Sequence, residues 1–129
     1  LGALKQLGRL YWYTVEFGLI REDDDLRIYG AGIVSSFAES VFALESDSPN
    51  RIGFDLKRVM RTDYRIDDFQ QNYFVIPGYA DLLRATAETD FAPLYEEILA
   101  QPDIPIAEIL PGDEVITRGT QEYARSKAP

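Results

Sequence analysis

Glu16 is the one formal charge in the run Leu10-Tyr-Trp-Tyr-Thr-Val-Glu-Phe-Gly-Leu-Ile20. A carboxylate in such apolar company is expensive to bury unless it is paired, hydrogen-bonded or bound to a metal. It also falls in the last turn of the helix that the spacing predicts over residues 2–17. There the helix dipole disfavours an anion by a few tenths to about 1 kcal/mol. A compensating cation is therefore expected. Lys5 and Arg9 share a helical face with Trp12 and Glu16, so either could pair with it. An arginine from elsewhere, or a metal ion, would serve as well.

Other carriers of chemistry are weaker. Glu22-Asp-Asp-Asp25 lacks the Asp-x-Asp-x-Asp-Gly spacing of a calcium loop and reads as the solvated tip of a hairpin. Gly30-x-Gly32 lacks the third glycine of a dinucleotide loop and reads as a tight turn. Ser36-Phe-Ala-Glu39 has the form of a capping box, which occupies Ser36 and leaves Ser35 free for another role. No His or Lys is placed to activate either serine. Asp67-Asp68 and Glu96-Glu97 read as surface pairs. Tyr11-Trp12-Tyr13 reads first as core, but consecutive helix positions diverge, so at least one ring must border a boundary or cleft.

Composition narrows the classes. The chain has 129 residues, enough for one core, with no histidine and no cysteine. Without histidine the commonest metal ligand and general base are missing. Without cysteine there is no disulfide framework or thiolate metal site, which is compatible with the cytoplasm. A net charge of −9 argues against nucleic-acid partners and anionic membrane surfaces. No apolar run approaches the length of a membrane span, and no signal peptide is evident. Leu1 already lies in a helical pattern, as expected of a piece of a longer protein.

The elements that must position these residues follow from periodicity and punctuation. Leu4, Leu7, Leu10, Tyr11, Thr14 and Val15 give the first helix its apolar stripe, with Gly18 as its expected left-handed stop. Residues 19–29 predict a hairpin, and a helix should run from Ser36 to about Leu44. Asp47–Asn50 reads as a turn, residues 54–61 as a short helix, and Tyr73–Ile76 as a strand ended by Pro77-Gly78. Helices are expected from Tyr79 to about Thr86 and from Phe91 to Leu99. Ile104–Thr117 suggests extended segments or a hairpin, and residues 118–129 a frayed tail. The expected class is α+β, predominantly helical with short β-hairpins, in one domain over residues 1–129.

Taken together, Tyr11-Trp-Tyr-Thr-Val-Glu-Phe-Gly-Leu19, Ile28-Tyr-Gly-Ala-Gly32 and Ser35-Ser-Phe-Ala-Glu39 closely resemble the aromatic amino acid hydroxylases. The likeness continues through Asp63-Tyr-Arg-Ile-Asp-Asp-Phe-Gln70 and Tyr73-Phe-Val75 and looks strongest to bacterial, phenylalanine-hydroxylating members. The resemblance implies an enzyme that uses non-haem Fe(II), tetrahydropterin and O2 to hydroxylate an aromatic ring. It implies that Glu16 is the iron-ligand glutamate, with two histidines completing the family's facial triad. Tyr11 matches a tyrosine beside the iron and Trp12 an aromatic near the substrate. Gly32 and Ser35 match the wall of the amino-acid pocket, with Ser35 supporting a ligating histidine. Tyr64 matches a tyrosine on a mobile segment that closes toward the substrate.

Two departures stand out. Ala38 replaces a glycine usual in the family, and its methyl could crowd close packing. The His-Asp-x-x-x-His motif is absent, so the chain resembles about the C-terminal half of the catalytic domain and keeps one of three iron ligands. The expectation is a piece of a phenylalanine-hydroxylating enzyme, inactive alone, with Glu16 turned to Arg9, another basic group or water. The competing expectation is a non-enzymatic binding or self-assembly module that associates through the exposed face of a half-domain.

Overall fold

The strand Asn72-Tyr-Phe-Val-Ile76 is buried along its whole length, because it has neighbours on both edges and layers on both faces. The computed structural model describes residues 2–127. In chain order the elements are α1 (Gly2–Tyr11), a π-helical turn (Trp12–Glu16), β1 (Leu19–Glu22), β2 (Asp25–Ile28), α2 (Ala31–Val34), α3 (Phe37–Glu45), β3 (Asn50–Gly53), α4 (Leu56–Met60), β4 (Asn72–Ile76), α5 (Tyr79–Ala87), α6 (Phe91–Leu99), β5 (Val115–Thr117) and α7 (Glu122–Ser126). The sheet order is β2-β1-β4-β3-β5. β4 runs parallel to β1 and β3, and the outer strands β2 and β5 are antiparallel to theirs. The class is α+β.

Alternation along β4 sorts the core into two layers. Tyr73 and Val75 pack with Leu19, Ile33, Phe42 and Ala43, which brings α2 and α3 onto one face. Phe74 packs with Tyr13, Ile52 and Val59, which brings the π turn and α4 onto the other. α6 adds Leu94 and Ile98 around Met60.

Local chemistry explains most boundaries. The β1–β2 hairpin turns on Asp23 and Asp24, both at positive φ (50° and 70°), as a two-residue turn that matches strand twist requires. Ser36 caps α3 by accepting from the Glu39 amide at 3.2 Å. The capping box is only half made. Glu39 instead points into the core, accepting from the Tyr73 hydroxyl at 2.5 Å and the Gln70 amide at 3.2 Å. Burial pushes its carboxyl above the usual range against those two donors. Asp55 and Asp90 cap α4 and α6.

Several expectations are corrected. The helix predicted over 2–17 is α-helical only to Tyr11. Gly18 is not a left-handed stop, since no described glycine has positive φ. It is glycine because a Cβ there would lie 2.2 Å from the Tyr29 ring and 2.5 Å from the Thr14 carbonyl. Gly30 to Gly32 is the entry of α2, not merely a turn. β3 was not expected: its Asn50 and Arg51 look like surface residues, but both are buried and hydrogen-bonded. Arg51 Nε donates to the Ala43 carbonyl at 2.7 Å, and Asn50 donates to Asn72 Oδ1 at 2.7 Å. Ile104–Thr117 forms no hairpin; β5 pairs with β3, and Ile104 bridges Thr62. The tail expected to fray carries α7, where Tyr123 packs on Phe42 and Phe69 and donates to Asp68 at 2.7 Å.

Candidate functional site

The π turn decides what surrounds Glu16. Its widened pitch bonds residue i to i+5 instead of i+4. The Phe17 amide accordingly donates to the Trp12 carbonyl at 2.8 Å. Two side-chain pairs come into line at the same interval. The Tyr11 hydroxyl donates to Glu16 Oε1 at 3.2 Å, and the Trp12 and Phe17 rings lie 4.6 Å apart. An α-helix would have aligned Glu16 with Trp12 and left Tyr11 beside Val15. Single-turn π insertions of this kind recur at functional sites.

The same turn breaks the expected pairing of Glu16 with Lys5 or Arg9. Arg9 is buried, with 1% of its side chain exposed, and faces away from the carboxylate, toward Asp63 and Asp103. Lys5 also bonds to Asp103. Among the described residues no basic group lies within ion-pair distance of Glu16. Its carboxylate is half-buried and, among the described residues, accepts from Tyr11 alone.

Gly32 closes one side of this space. A Cβ on Gly32 would sit 2.9 Å from each of Glu16 Oε2, the Glu16 carbonyl oxygen and Phe17 Cζ. A Cβ on Gly30 would sit 2.5 Å from the same carbonyl. Both glycines therefore let α2 approach the end of the π turn more closely than any larger residue could. Ser35, at the end of α2, is exposed and donates to the Gly32 carbonyl at 3.0 Å.

A ladder of rings leads away from Gly32. Phe17 is followed by Trp12, and Tyr64 stacks on Trp12 at 4.4 Å with the planes 17° apart. Tyr64 also meets the edge of Tyr13 at 6.3 Å. The Trp12 indole N–H is buried and has no partner among the described residues. The structure thus brings Tyr11, Trp12, Glu16, Gly32 and Tyr64 into one neighbourhood, with Ser35 at its rim. Sequence reasoning missed Phe17 and Gly30. The i,i+5 spacing of Trp12 and Phe17 is visible in the sequence, but nothing there announces a π turn.

The donor set can be tested against a metal. Glu16 fits one corner of a metal site: a half-exposed carboxylate held by one hydrogen bond, without a competing cation. It does not make a site alone. Among the described residues no three His, Cys, Asp or Glu side chains converge to hold an ion. Ala38 lies exposed in the first turn of α3, where its methyl meets solvent and crowds nothing.

Comparison with known proteins identifies the family. The sequence model of the family described as biopterin-dependent aromatic amino acid hydroxylase matches residues 2–93. The chain is 64% identical over 124 residues to a phenylalanine-4-hydroxylase of Caulobacter vibrioides, covering 96% of this chain and 42% of that protein. It is 60% identical over 122 residues to that of Ralstonia nicotianae, covering 95% and 39%. The iron- and phenylalanine-bound crystal structure of the Chromobacterium violaceum phenylalanine hydroxylase superposes with a TM-score of 0.86 at 56% identity, over 89% of this chain and 42% of that one. The chain therefore spans about two fifths of the length of these relatives. It belongs to the biopterin-dependent aromatic amino acid hydroxylases.

Proposed function

We propose that this chain is about the C-terminal half of the catalytic domain of a phenylalanine hydroxylase, contributing the glutamate ligand of its iron and one wall of its amino-acid pocket. The observation that carries the reading is Glu16. It is half-buried with no basic partner among the described residues, fixed by Tyr11 and closed in by Gly32. A purely structural carboxylate in this setting would have gathered a cation or several N–H donors.

In the complete protein, bound Fe(II) with tetrahydropterin and O2 would supply the oxidising chemistry. This chain's residues have simpler tasks. Glu16 would be one of three protein ligands, with two histidines supplied from outside these 129 residues. Tyr11 restricts the carboxylate to one orientation. The Phe17–Trp12–Tyr64 ladder and Gly32 offer an apolar, flat-sided wall suited to an aromatic ring such as that of L-phenylalanine. Ser35, at the rim, would orient a ligating histidine. The chain alone is inactive, because one carboxylate cannot hold Fe(II) against water. The fold, the negative charge and the similar bacterial proteins support a cytoplasmic enzyme without nucleic-acid or membrane partners. Among the described residues no helix is long and apolar enough to cross a membrane.

The test is hydroxylation of L-phenylalanine with added Fe(II) and tetrahydropterin. The 129-residue chain should give no tyrosine. A chimera in which it replaces the matching segment of the Caulobacter vibrioides relative should turn over. Product from the isolated chain, or a dead chimera that folds and binds iron, would overturn the reading.

A second reading rests on a separate observation. Leu4, Leu7, Tyr11 and Val15 are exposed along α1 and the π turn, and Val34, Phe37, Val41 and Leu44 along α2 and α3. Exposed apolar stripes of this kind favour contact with another chain or with the rest of the catalytic domain. Self-association of the isolated chain follows, and a compact monomer in sedimentation at micromolar concentration would count against it.

A further inference from the structure

Arg9 is the largest fully buried charged side chain, and neither fold nor pocket yet accounts for it. Burying a guanidinium costs several kcal/mol unless it is met by carboxylates and further hydrogen bonds. Arg9 is so met. One amino group donates to Asp103 Oδ1 at 3.0 Å and to the Met60 carbonyl at 3.4 Å, and the other donates to Asp63 Oδ1. The two acids lie 54 and 94 residues away in sequence. Asp63 is gripped at two further points. Its amide donates to the Ile104 carbonyl at 2.9 Å, and its carbonyl accepts from the Tyr13 hydroxyl.

The next residue is Tyr64, the outer ring of the ladder. Beyond it the chain leaves regular structure until β4. Gln70 clips that loop by accepting from the Arg65 amide at 3.3 Å and donating to the Arg65 carbonyl at 2.5 Å, while Ile66 at the tip is 77% exposed. The loop is therefore closed on itself by Gln70, and its entry is tied to α1 at Asp63. Arg9 and Tyr13 lie on the same stretch that carries Trp12 and Glu16.

We infer that Arg9 is a positioning residue: through Asp63 it holds Tyr64 against Trp12 and so sets the outer wall of the pocket relative to Glu16. Asp103 is the second carboxylate partner of Arg9; among the described residues its side chain bonds Arg9 and Lys5 and makes no bond to residues 64–70, so its loss leaves the Arg9–Asp63 link in place. The substrate consequence rests on the functional reading above; the anchoring itself does not. Without the Arg9–Asp63 link, Tyr64 keeps only its stacking and the Asp63 backbone contacts.

Trp12 is the only tryptophan in the chain, so its fluorescence reports on this stack directly. In the wild-type chain Trp12 emission should be blue-shifted and poorly quenched by acrylamide. Asp63→Ala should raise the acrylamide quenching constant about twofold and shift emission to the red, as loss of a charge-assisted hydrogen bond frees the segment. Asp103→Ala is the matched control and should leave quenching near wild type. Arg9→Gln, which also releases Asp103 and the Met60 carbonyl, should change quenching at least as much as Asp63→Ala, and adding Asp63→Ala to it should change nothing further, because the Arg9–Asp63 link is already gone. Far-UV circular dichroism checks that each variant is folded. Asp63 is partly exposed, so its variant keeps the test open should Arg9→Gln unfold. Wild-type quenching like that of free tryptophan, no change in folded Asp63→Ala, or an equal change in Asp103→Ala would overturn the inference. In the chimera, Asp63→Ala should raise the KM for L-phenylalanine more than it lowers kcat. An unmoved KM beside a moved fluorescence would overturn the substrate role while leaving the anchor standing.

Discussion

Two carboxylates in this molecule, Asp113 and Glu16, are treated in opposite ways. Asp113 is enclosed, with 6% of its side chain exposed. Arg58 grips it with two N–H groups at 2.9 and 3.1 Å, and the Leu110 amide adds a third bond at 2.7 Å. Arg58 is itself completed by Thr62 and the Glu108 carbonyl, both at 2.6 Å. Glu16 has one hydroxyl partner and a glycine wall. The first pattern is how a fold stabilises a buried acid, with both oxygens hydrogen-bonded and a guanidinium paired to it. The second leaves coordination sites open. Charge does not separate the two acids; the number and kind of donors around each does.

Mutation should separate them as sharply. In the chimera, Glu16→Ala should abolish hydroxylation to below detection while shifting stability by less than about 1 kcal/mol, measured by urea unfolding. Asp113→Ala should do the reverse. It strands Arg58, so a loss of about 3–5 kcal/mol is expected, with whatever protein remains folded keeping its activity per iron bound. Equal stability losses from the two variants would erase the distinction. Gly32→Ala is intermediate. Its new methyl would press on Glu16 and Phe17, costing about 1–3 kcal/mol by overpacking and weakening iron binding with it.

A smaller effect concerns Asp103. Hydrogen bonds from Arg9 and then Lys5 hold its carboxyl down at about 2. The unfolded chain takes up this proton near pH 4, before the folded one does. The contribution is thus complete above about pH 4 and is lost as pH falls toward 2. Because Asp103 is partly exposed, solvent screening keeps the effect modest. Asp103→Asn should flatten the slope of stability against pH in that window; an unchanged slope would assign it to other acids. The smallest effect is at Ala38. Restoring glycine at this exposed helical position should cost about 1 kcal/mol or less, through helix propensity alone. A gain in stability would revive crowding as the explanation of that site.

Much of this site could be read from the sequence, for identifiable reasons. Glu16 stands out because its neighbours are apolar, and Ser36 because capping is local. The β1–β2 hairpin and the strand at Tyr73–Ile76 follow from short-range pattern. What escaped depends on partners far along the chain or on geometry without a periodic signal. A five-residue π turn has no hydrophobic period of its own, yet it rotates Glu16 away from Arg9 and onto Tyr11. Arg9 looked like a partner for Glu16 because only local spacing was visible; its true partners lie 54 and 94 residues away. β3 was hidden because Asn50 and Arg51 have the look of loop residues until the groups that satisfy them are known. The tail reads as frayed because it is polar; what anchors it is Tyr123, and the rings that Tyr123 packs on, Phe42 and Phe69, are remote in sequence.

The central claim, that Glu16 is a metal-binding carboxylate and not a structural one, is tested most directly by metal affinity. Cobalt(II) titration of the chimera, followed by visible absorption, would compare wild type with Glu16→Ala under conditions where both are folded. The expected result is a loss of affinity of about 100-fold or more, since a directly coordinating ligand should outweigh the 10–100-fold typical of residues that only support one. Equal affinities in the two proteins would contradict the claim.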